Sequence, residues 1–158
     1  RAYEQAVKIN ERDYVGWGNL GHAHYWSPGR RAQALNSYRK AISLAKEELK
    51  VNPRNAGLLA QLARYHARLE QRGPAFGYLK QALSLAPADP EVCFRAALVH
   101  NQFGEVNPAL NWLEKAVAAR FSPARIQSAS AFDNLRDHPR FQKLLREAEA
   151  RKESEGRK

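Results

Sequence analysis

Apolar residues recur at helical spacing on both sides of a short turn in residues 87–121. Before the turn, Val92 and Val99 lie two helical turns apart on one face. After the turn, Leu110 and Leu113 mark the apolar face of a second helix. A Phe-Gly-Glu tripeptide separates the two halves. The pattern predicts two amphipathic helices joined by a tight turn. The rest of the chain repeats this helix–turn–helix unit with variations.

The second half of the unit recurs along the chain, each time after another predicted helix. A tyrosine or leucine is followed three and four residues later by two further apolar residues. The occurrences are Tyr3, Ala6 and Val7; Tyr38, Ala41 and Ile42; Leu79, Ala82 and Leu83; and Leu113, Ala116 and Val117. Such repetition predicts an array of stacked helix pairs, because one pair cannot bury its apolar face alone.

Capping residues and helix breakers divide this array into segments. Asp13 and Asn55 are the expected N-caps of two first helices, and the second of these helices runs to Gln71 before a turn at Gly73-Pro74. The late turn makes this predicted helix longer than its counterparts. The predicted segments are a half repeat (1–10), three repeats (11–53, with an extended second helix, 54–87 and 88–121), a helical cap (122–150) and a frayed charged tail (151–158).

Composition narrows the possible function classes. The chain has 158 residues, a net charge of +10 and 44% hydrophobic residues. Residues 51–86 contain basic side chains with a single acid, so the positive charge is concentrated in one part of the chain. The lone cysteine, Cys93, excludes an internal disulfide and fits a reducing compartment. No apolar run approaches the roughly 20 residues that a membrane span requires. Because the sequence begins inside a helical pattern, we interpret it as a fragment.

The spacing of small and aromatic residues resembles the tetratricopeptide repeat. The matching positions are Trp17, Leu20, Gly21, Ala34, Tyr38 and Ala41, followed by a proline. The resemblance covers residues 1–121 and implies an all-α fold, a right-handed superhelix (α-solenoid) of antiparallel helix pairs. The segment FDNLRDHPRFQKLL is similar to the closing segment after such arrays in bacterial signalling proteins. It implies a C-terminal capping helix, and we expect a cytoplasmic bacterial protein.

The same resemblance implies a protein-binding groove lined by the first helix of each pair. The residues that would line it are Asn19, His22, Tyr25, Trp26, Gln61, Arg64, Arg68, Arg95, Leu98, Asn101 and Gln102. Arg64, Arg68 and Arg72 are spaced to form a stripe along one helix. Arginines beside aromatic rings suit an extended peptide with carboxylates. We therefore expect a protein–protein interaction scaffold whose partner is a protein or a peptide. More specifically, we expect that partner to be acidic.

Three histidines, His24, His66 and His100, occupy equivalent places on successive first helices. Such a column would suit a metal or a pH sensor. Equivalent residues in stacked repeats, however, lie about 10 Å apart, which is too far for shared tetrahedral ligation. We expect packing residues, each with one ring nitrogen bonded to a neighbouring helix, and no metal or cofactor.

Two alternative functions compete with the scaffold. Nucleic-acid binding would follow from the positive charge, although acids are interleaved with the arginines outside the second repeat. Self-association would follow if the predicted half repeat exposes an apolar edge at Tyr3, Ala6 and Val7. An enzyme is not expected, because the sequence contains no Gly-rich phosphate loop and no HExxH or GxSxG motif.

Overall fold

The computed structural model describes residues 2–156, and the regular elements in this range are helices. The chain divides after Leu85 into two compact units. The elements are α1 (Ala2–Ile9), α2 (Tyr14–Tyr25), α3 (Arg31–Val51), α4 (Ala56–Arg68), α5 (Arg72–Leu85), α6 (Pro90–Gln102), α7 (Val106–Ala118), α8 (Pro123–Ser128), a 3₁₀ segment (Ser130–Leu135) and α9 (Pro139–Gly156). This order of helix pairs confirms the all-α solenoid class.

The first helix of each pair begins at a short polar side chain that caps it. The Asp13 carboxylate accepts a hydrogen bond from the Val15 amide at 2.9 Å, and the Asn55 side chain accepts one from the Leu58 amide at 3.0 Å. Asp89 caps α6 in the same way. These bonds satisfy amide donors that have no partner within the helix. Both N-caps expected at Asp13 and Asn55 are therefore confirmed.

The expected turn at Gly73-Pro74 is wrong. α4 ends at Arg68, and Glu70 makes the turn with a φ of 59°. The Gln71 amide then closes the turn by donating to the His66 carbonyl at 3.0 Å. Gly73 and Pro74 fall inside the first turn of α5. Consequently α4 has 13 residues, as α6 does, rather than the extended length expected from the sequence.

In the first unit, α2 pairs with α3, α4 pairs with α5, and α3 packs on α4. Small residues allow the close approach between these helices. A Cβ atom on Gly21 would lie 2.9 Å from the Tyr38 ring, and Ala34 and Ala63 are fully buried. The core is therefore closely packed, because aromatic rings occupy the space that larger side chains at the glycine and alanine positions would need.

α1 packs against α2 through Val7, which is buried. The predicted apolar edge is therefore wrong at Val7, although Tyr3 and Ala6 are exposed. Ile9, which was not expected at that edge, is 87% exposed.

The second unit consists of the α6–α7 hairpin and a cap formed by the elements after it. Phe94, Phe121, Phe132 and Phe141 form an aromatic core shared by the hairpin and the cap. The charged tail, expected to fray from residue 151, is helical to Gly156; residues 157 and 158 lie outside the described range. Among the described helices none is both long and apolar enough to cross a membrane.

Candidate partner-binding face

Four side chains of α2 and α4 meet on one face of the first unit. His22 lies on α2 and Trp26 caps the C-terminal end of that helix one turn later, and Arg64 and Arg68 lie one turn apart on α4. The Arg64 Nη2 atom is 3.4 Å from His22 Nδ1, so the two helices meet through this pair. These residues, together with Tyr25, form what we call the α2–α4 face. The structure therefore brings together five of the residues predicted for the groove.

Arg68 is held among aromatic rings. Its guanidinium carbon lies 4.3 Å from the centre of the Tyr25 ring and 5.5 Å from that of Trp26. Arg31 approaches the Tyr25 ring too, at 3.7 Å. The Arg68 side chain is only 5% exposed, whereas Trp26 is 44% exposed. Cation–π contacts of this kind fix an arginine in one orientation, so Arg68 is a preordered and largely buried cation beside the exposed Trp26 indole.

Burial and the neighbouring arginines lower the pKa of His22 from 6.5 to about 4. Burial has the largest effect, followed by the charges of Arg64 and then of Arg68. His22 is therefore neutral at neutral pH. Its Nδ1 atom accepts a hydrogen bond from Arg64, which leaves the hydrogen on the other ring nitrogen.

The lowered pKa of His22 predicts a pH dependence of stability. The unfolded chain takes up a proton at His22 near pH 6.5, whereas the folded chain does so only near pH 4. This contribution to stability is present above pH 6.5 and is lost as the pH falls through that window. Because the ring is partly exposed, we discount the full effect of this pKa shift. We expect the free energy of unfolding to fall, between pH 7.5 and pH 4, by about 2 kcal/mol more in the wild type than in His22→Gln.

Urea denaturation of both proteins at several pH values between 7.5 and 4 measures this difference. At pH 7.5 both side chains are neutral, so the difference there reports packing alone and serves as the reference. Parallel stability curves for His22→Gln and the wild type would contradict the assignment.

Two amide side chains flank the α2–α4 face differently. Gln61 donates from Nε2 to the Tyr65 hydroxyl at 2.8 Å, and that hydroxyl donates to the Tyr14 carbonyl at 3.4 Å. Gln61 is therefore half-buried and tied to the core. Asn19, by contrast, is exposed on α2. Of the two, only Asn19 has the freedom expected of a residue that contacts a partner.

In the second unit, part of the predicted groove is covered. Leu98 is buried in the aromatic core, and Asn101 donates to the Ala131 carbonyl at 2.7 Å and to the Asn134 side chain at 2.9 Å. The predictions that Leu98 and Asn101 line a free groove are therefore wrong, because the cap occupies this side of α6. Of the other groove residues predicted on α6, Arg95 faces Glu91 at 3.8 Å, and Gln102 is half-buried.

Each column histidine bonds to the turn that follows its helix. His66 Nδ1 lies 2.6 Å from Gln71 Oε1, and His100 Nδ1 lies 2.5 Å from Glu105 Oε2. His24 is buried beside Arg30 and Glu4. Burial lowers the pKa of His66 as well. The three side chains thus tie the ends of their helices to the turns that follow. Over residues 2–156, no group of His, Cys, Asp and Glu side chains could hold a metal ion.

Sequence reasoning missed two contributors to the α2–α4 face, Arg31 and Tyr38, which both belong to α3. The charges of Arg68 and Arg64 act on the Tyr38 phenol, whose pKa is raised chiefly by burial. No signal in the sequence separates Arg31 from other exposed arginines. Tyr38 was identified, but only as a packing residue, because its hydroxyl could not be placed without the structure.

Successive antiparallel helix hairpins define an α-helical repeat protein of the interaction-scaffold type. Residues 15–48 match the family model described as the tetratricopeptide repeat. This match covers the α2–α3 hairpin, including the Trp17, Gly21 and Tyr38 positions. This match shows that the chain contains a tetratricopeptide repeat, as its sequence pattern predicted.

Comparison with curated proteins finds a relative, cellulose synthase operon protein C of Pseudomonas fluorescens (strain SBW25). It is 31% identical over 129 residues, which is 80% of this chain and 10% of that protein. The chain thus spans about a tenth of the length of this relative.

Comparison with solved structures finds two crystal structures of MamA that are similar to this chain. The first is 19% identical with a TM-score of 0.47, and covers 100% of this chain and 89% of that one. The second is 22% identical with a TM-score of 0.47, and covers 98% of this chain and 82% of that one.

Proposed function

We propose that the α2–α4 face of this protein-interaction scaffold binds a partner segment that carries a carboxylate next to an apolar residue. Tetratricopeptide repeats act as protein-binding scaffolds, and in solenoids of this kind the binding surface is rigid and preformed. The partner's carboxylate would meet Arg64, next to the charge of the buried Arg68, and its apolar residue would cover Trp26. The proposal concerns the first unit alone.

The arrangement of Arg68 carries this proposal. A buried guanidinium between Tyr25 and Trp26 loses little side-chain entropy on binding, because the contacts already fix its orientation. Arg64 beside it adds a second guanidinium, and its hydrogen bond to the neutral His22 holds that guanidinium at the α2–α4 face at neutral pH. Arginine forks match the geometry of a carboxylate. Arginine and tryptophan are also the residue types on which binding energy concentrates at interfaces.

Peptide selection tests the proposal directly. A random displayed library, supplemented with peptides tiled from the proteins of a cellulose synthase operon because of the relative's name, is selected on the wild type and on Arg64→Ala. We expect acidic residues to be enriched on the wild type. On Arg64→Ala the selected acidic peptides should bind about tenfold to a hundredfold more weakly, since a hydrogen bond to a charged group contributes about 1.5–3 kcal/mol.

Arg54→Ala is the matched control, because it removes the same charge from an exposed position between α3 and α4. It should bind the selected peptides as the wild type does. Arg68→Ala is a poor probe, because Arg68 is buried and its removal would disturb packing. Selection without acid enrichment, selection of no peptide, or equal losses in Arg64→Ala and Arg54→Ala would each overturn the proposal.

The pairing of surface charges favours a protein partner over a nucleic acid. Several arginines are already engaged with acids: Arg30 with Glu4 at 3.1 Å, Arg140 with Glu114 at 2.8 Å, and Arg125 with Glu91. Such pairs reduce the number of phosphates that the basic residues could neutralise.

A further inference from the structure

A cleft lies between the C-terminal end of α7 and the last turns of α9, within the second unit. Its volume is about 270 Å³, just below the range of about 300–1,000 Å³ that is typical of ligand pockets, so its size suits one group of amino-acid dimensions. The interior of the cleft is apolar and is formed by three buried side chains, those of Val117, Phe121 and Ala148. It can therefore take an apolar side chain out of water.

The mouth of this cleft is positively charged. Three exposed cations line it, Arg120 after α7 and Arg151 and Lys152 on α9. Glu155 lines the mouth as well, and its carboxylate pairs with the Arg120 guanidinium at 2.5 Å. Among the residues that the structure describes, Arg151 and Lys152 form no ion pair, so two of the three cations are available to an anion. The cleft therefore combines an apolar interior with an excess of positive charge at its opening.

Arg120 stands at a backbone position that favours glycine. Its φ is 71°, in the left-handed region, and Gly104 has a φ of 74° at the corresponding place after α6. The Phe121 amide donates to the Ala116 carbonyl at 2.9 Å, which is the bond that closes a helix end of this kind. An arginine is strained in this conformation, whereas a glycine is not. An arginine at such a position points to a role for its side chain at the cleft.

We propose that this cleft binds the C-terminal residue of a protein partner, with the apolar side chain in the interior and the α-carboxylate at Arg120, Arg151 and Lys152. A C-terminal residue carries both groups on one carbon atom, which matches an apolar interior with cations at its mouth. The partner's carboxylate replaces that of Glu155 on Arg120. This exchange costs little, because both side chains of the pair are exposed, at 64% and 54%. The site belongs to the second unit and is independent of the α2–α4 face.

The probe is N-acetylleucine, because it carries the apolar side chain and the terminal carboxylate of such a partner. It is titrated into ¹⁵N-labelled protein at constant ionic strength, alongside N-acetylleucine amide, which lacks the charge, and N-acetylglycine, which lacks the side chain. Of these three, we expect saturable shifts with N-acetylleucine only, in the amides from Val117 to Phe121 and in the last turns of α9. Octanoate tests for a small-molecule ligand instead, and it should bind more weakly because its chain is longer than an amino-acid side chain.

Arg120→Gly should weaken N-acetylleucine binding about tenfold, because a hydrogen bond between two charged groups is lost. The free variant should nevertheless melt at or above the wild-type temperature, since glycine relieves the left-handed backbone strain. A purely structural role of the Arg120–Glu155 pair predicts the reverse, a lower melting temperature with unchanged binding. Arg146→Ala is the matched control, because it removes the same charge from an exposed position of α9 outside the cleft and should bind N-acetylleucine as the wild type does.

Glu155→Gln should act in the opposite direction to Arg120→Gly. It removes the internal acid that competes for Arg120, so N-acetylleucine should bind about twofold to fivefold more tightly, the range that corresponds to one exposed ion pair. Glu153→Gln makes the same change of charge two residues away, on another side of α9 and outside the cleft. It should leave the affinity unchanged.

Each contrary result overturns a stated part of the inference. Equal binding of N-acetylleucine amide or of N-acetylglycine overturns recognition of the carboxylate or of the apolar side chain. Tighter binding of octanoate overturns the assignment to a protein C-terminus. Equal affinities in Arg120→Gly and Arg146→Ala, or no gain in Glu155→Gln, overturn the role of Arg120. No saturable shift in the wild type overturns the site itself, whereas the proposed function is decided separately by the peptide selection.

Discussion

Gly18→Ala is expected to lower the free energy of unfolding by about 3 kcal/mol, the upper end of what overpacking a core normally produces. A Cβ atom at this position would lie 2.0 Å from the Tyr65 hydroxyl oxygen and 2.5 Å from the ring carbon that bears it. Both distances are well inside van der Waals contact. Either α2 and α4 must separate or Tyr65 must leave its position.

Tyr65 has little room to withdraw. It is 1% exposed, its ring lies 5.8 Å from that of Tyr38, and its hydroxyl accepts a hydrogen bond from Gln61 and donates to Tyr14. Moving it would break these bonds and expose polar atoms that are now paired. Because α2 and α4 also carry the α2–α4 face, Gly18→Ala should displace Arg64 from His22 as well as destabilise the fold.

Gly77→Ala provides the control for Gly18→Ala. Gly77 is exposed within α5, and a Cβ there would have no atom within 4 Å. Replacing a helical glycine by alanine without a steric conflict should raise stability by about 0.5–1 kcal/mol. Urea denaturation of both variants gives the two values. Equal stability changes in the two would mean that Tyr65 does not restrict Gly18.

The sequence predicted the helices of the repeats well because their signals are local. Asp13 and Asn55 cap helices whichever units surround them, and apolar spacing depends only on the helix itself. The turn between α4 and α5 was misplaced for the converse reason. Glu70 adopts a left-handed conformation that is uncommon for residues other than glycine, whereas Gly73 sits in an ordinary helical turn. Residue type therefore predicted the wrong position for the turn between α4 and α5.

The α2–α4 face could be predicted only in part. Periodicity identified Arg64 and Arg68 on one helix, but it could not show that Arg68 is buried against Tyr25 and Trp26. Long-range packing also determines which of the α6 residues are exposed. Leu98 and Asn101 have the spacing of groove residues, yet the cap covers them, and the position of the cap depends on contacts distant in sequence.

Phe132→Ala is expected to destabilise the second unit by about 3–5 kcal/mol, the usual range for a fully buried phenylalanine. Phe132 is 0% exposed. Its ring lies 5.9 Å from that of Phe94 on α6 and 6.2 Å from that of Phe141 on α9. It therefore joins the cap to the hairpin, and its removal leaves a cavity at the point where the two meet.

The structural consequence of Phe132→Ala should be local to the cap and α6. When the cap loosens, Asn101 loses the Ala131 carbonyl and Asn134, and the side of α6 that carries Leu98 opens to water. Hydrogen exchange should accelerate in α6 and α9. The denaturation midpoint should fall at the same time.

Phe76→Ala is the matched control for Phe132→Ala, because Phe76 is half-buried on α5 and stacks against Arg72 at 4.7 Å. Its loss should affect stability less, by about 1 kcal/mol, and should not change exchange in α6. If Phe132→Ala leaves α6 exchange unchanged, Leu98 is held by the α6–α7 hairpin itself. The cap would then not be what closes that side of the helix.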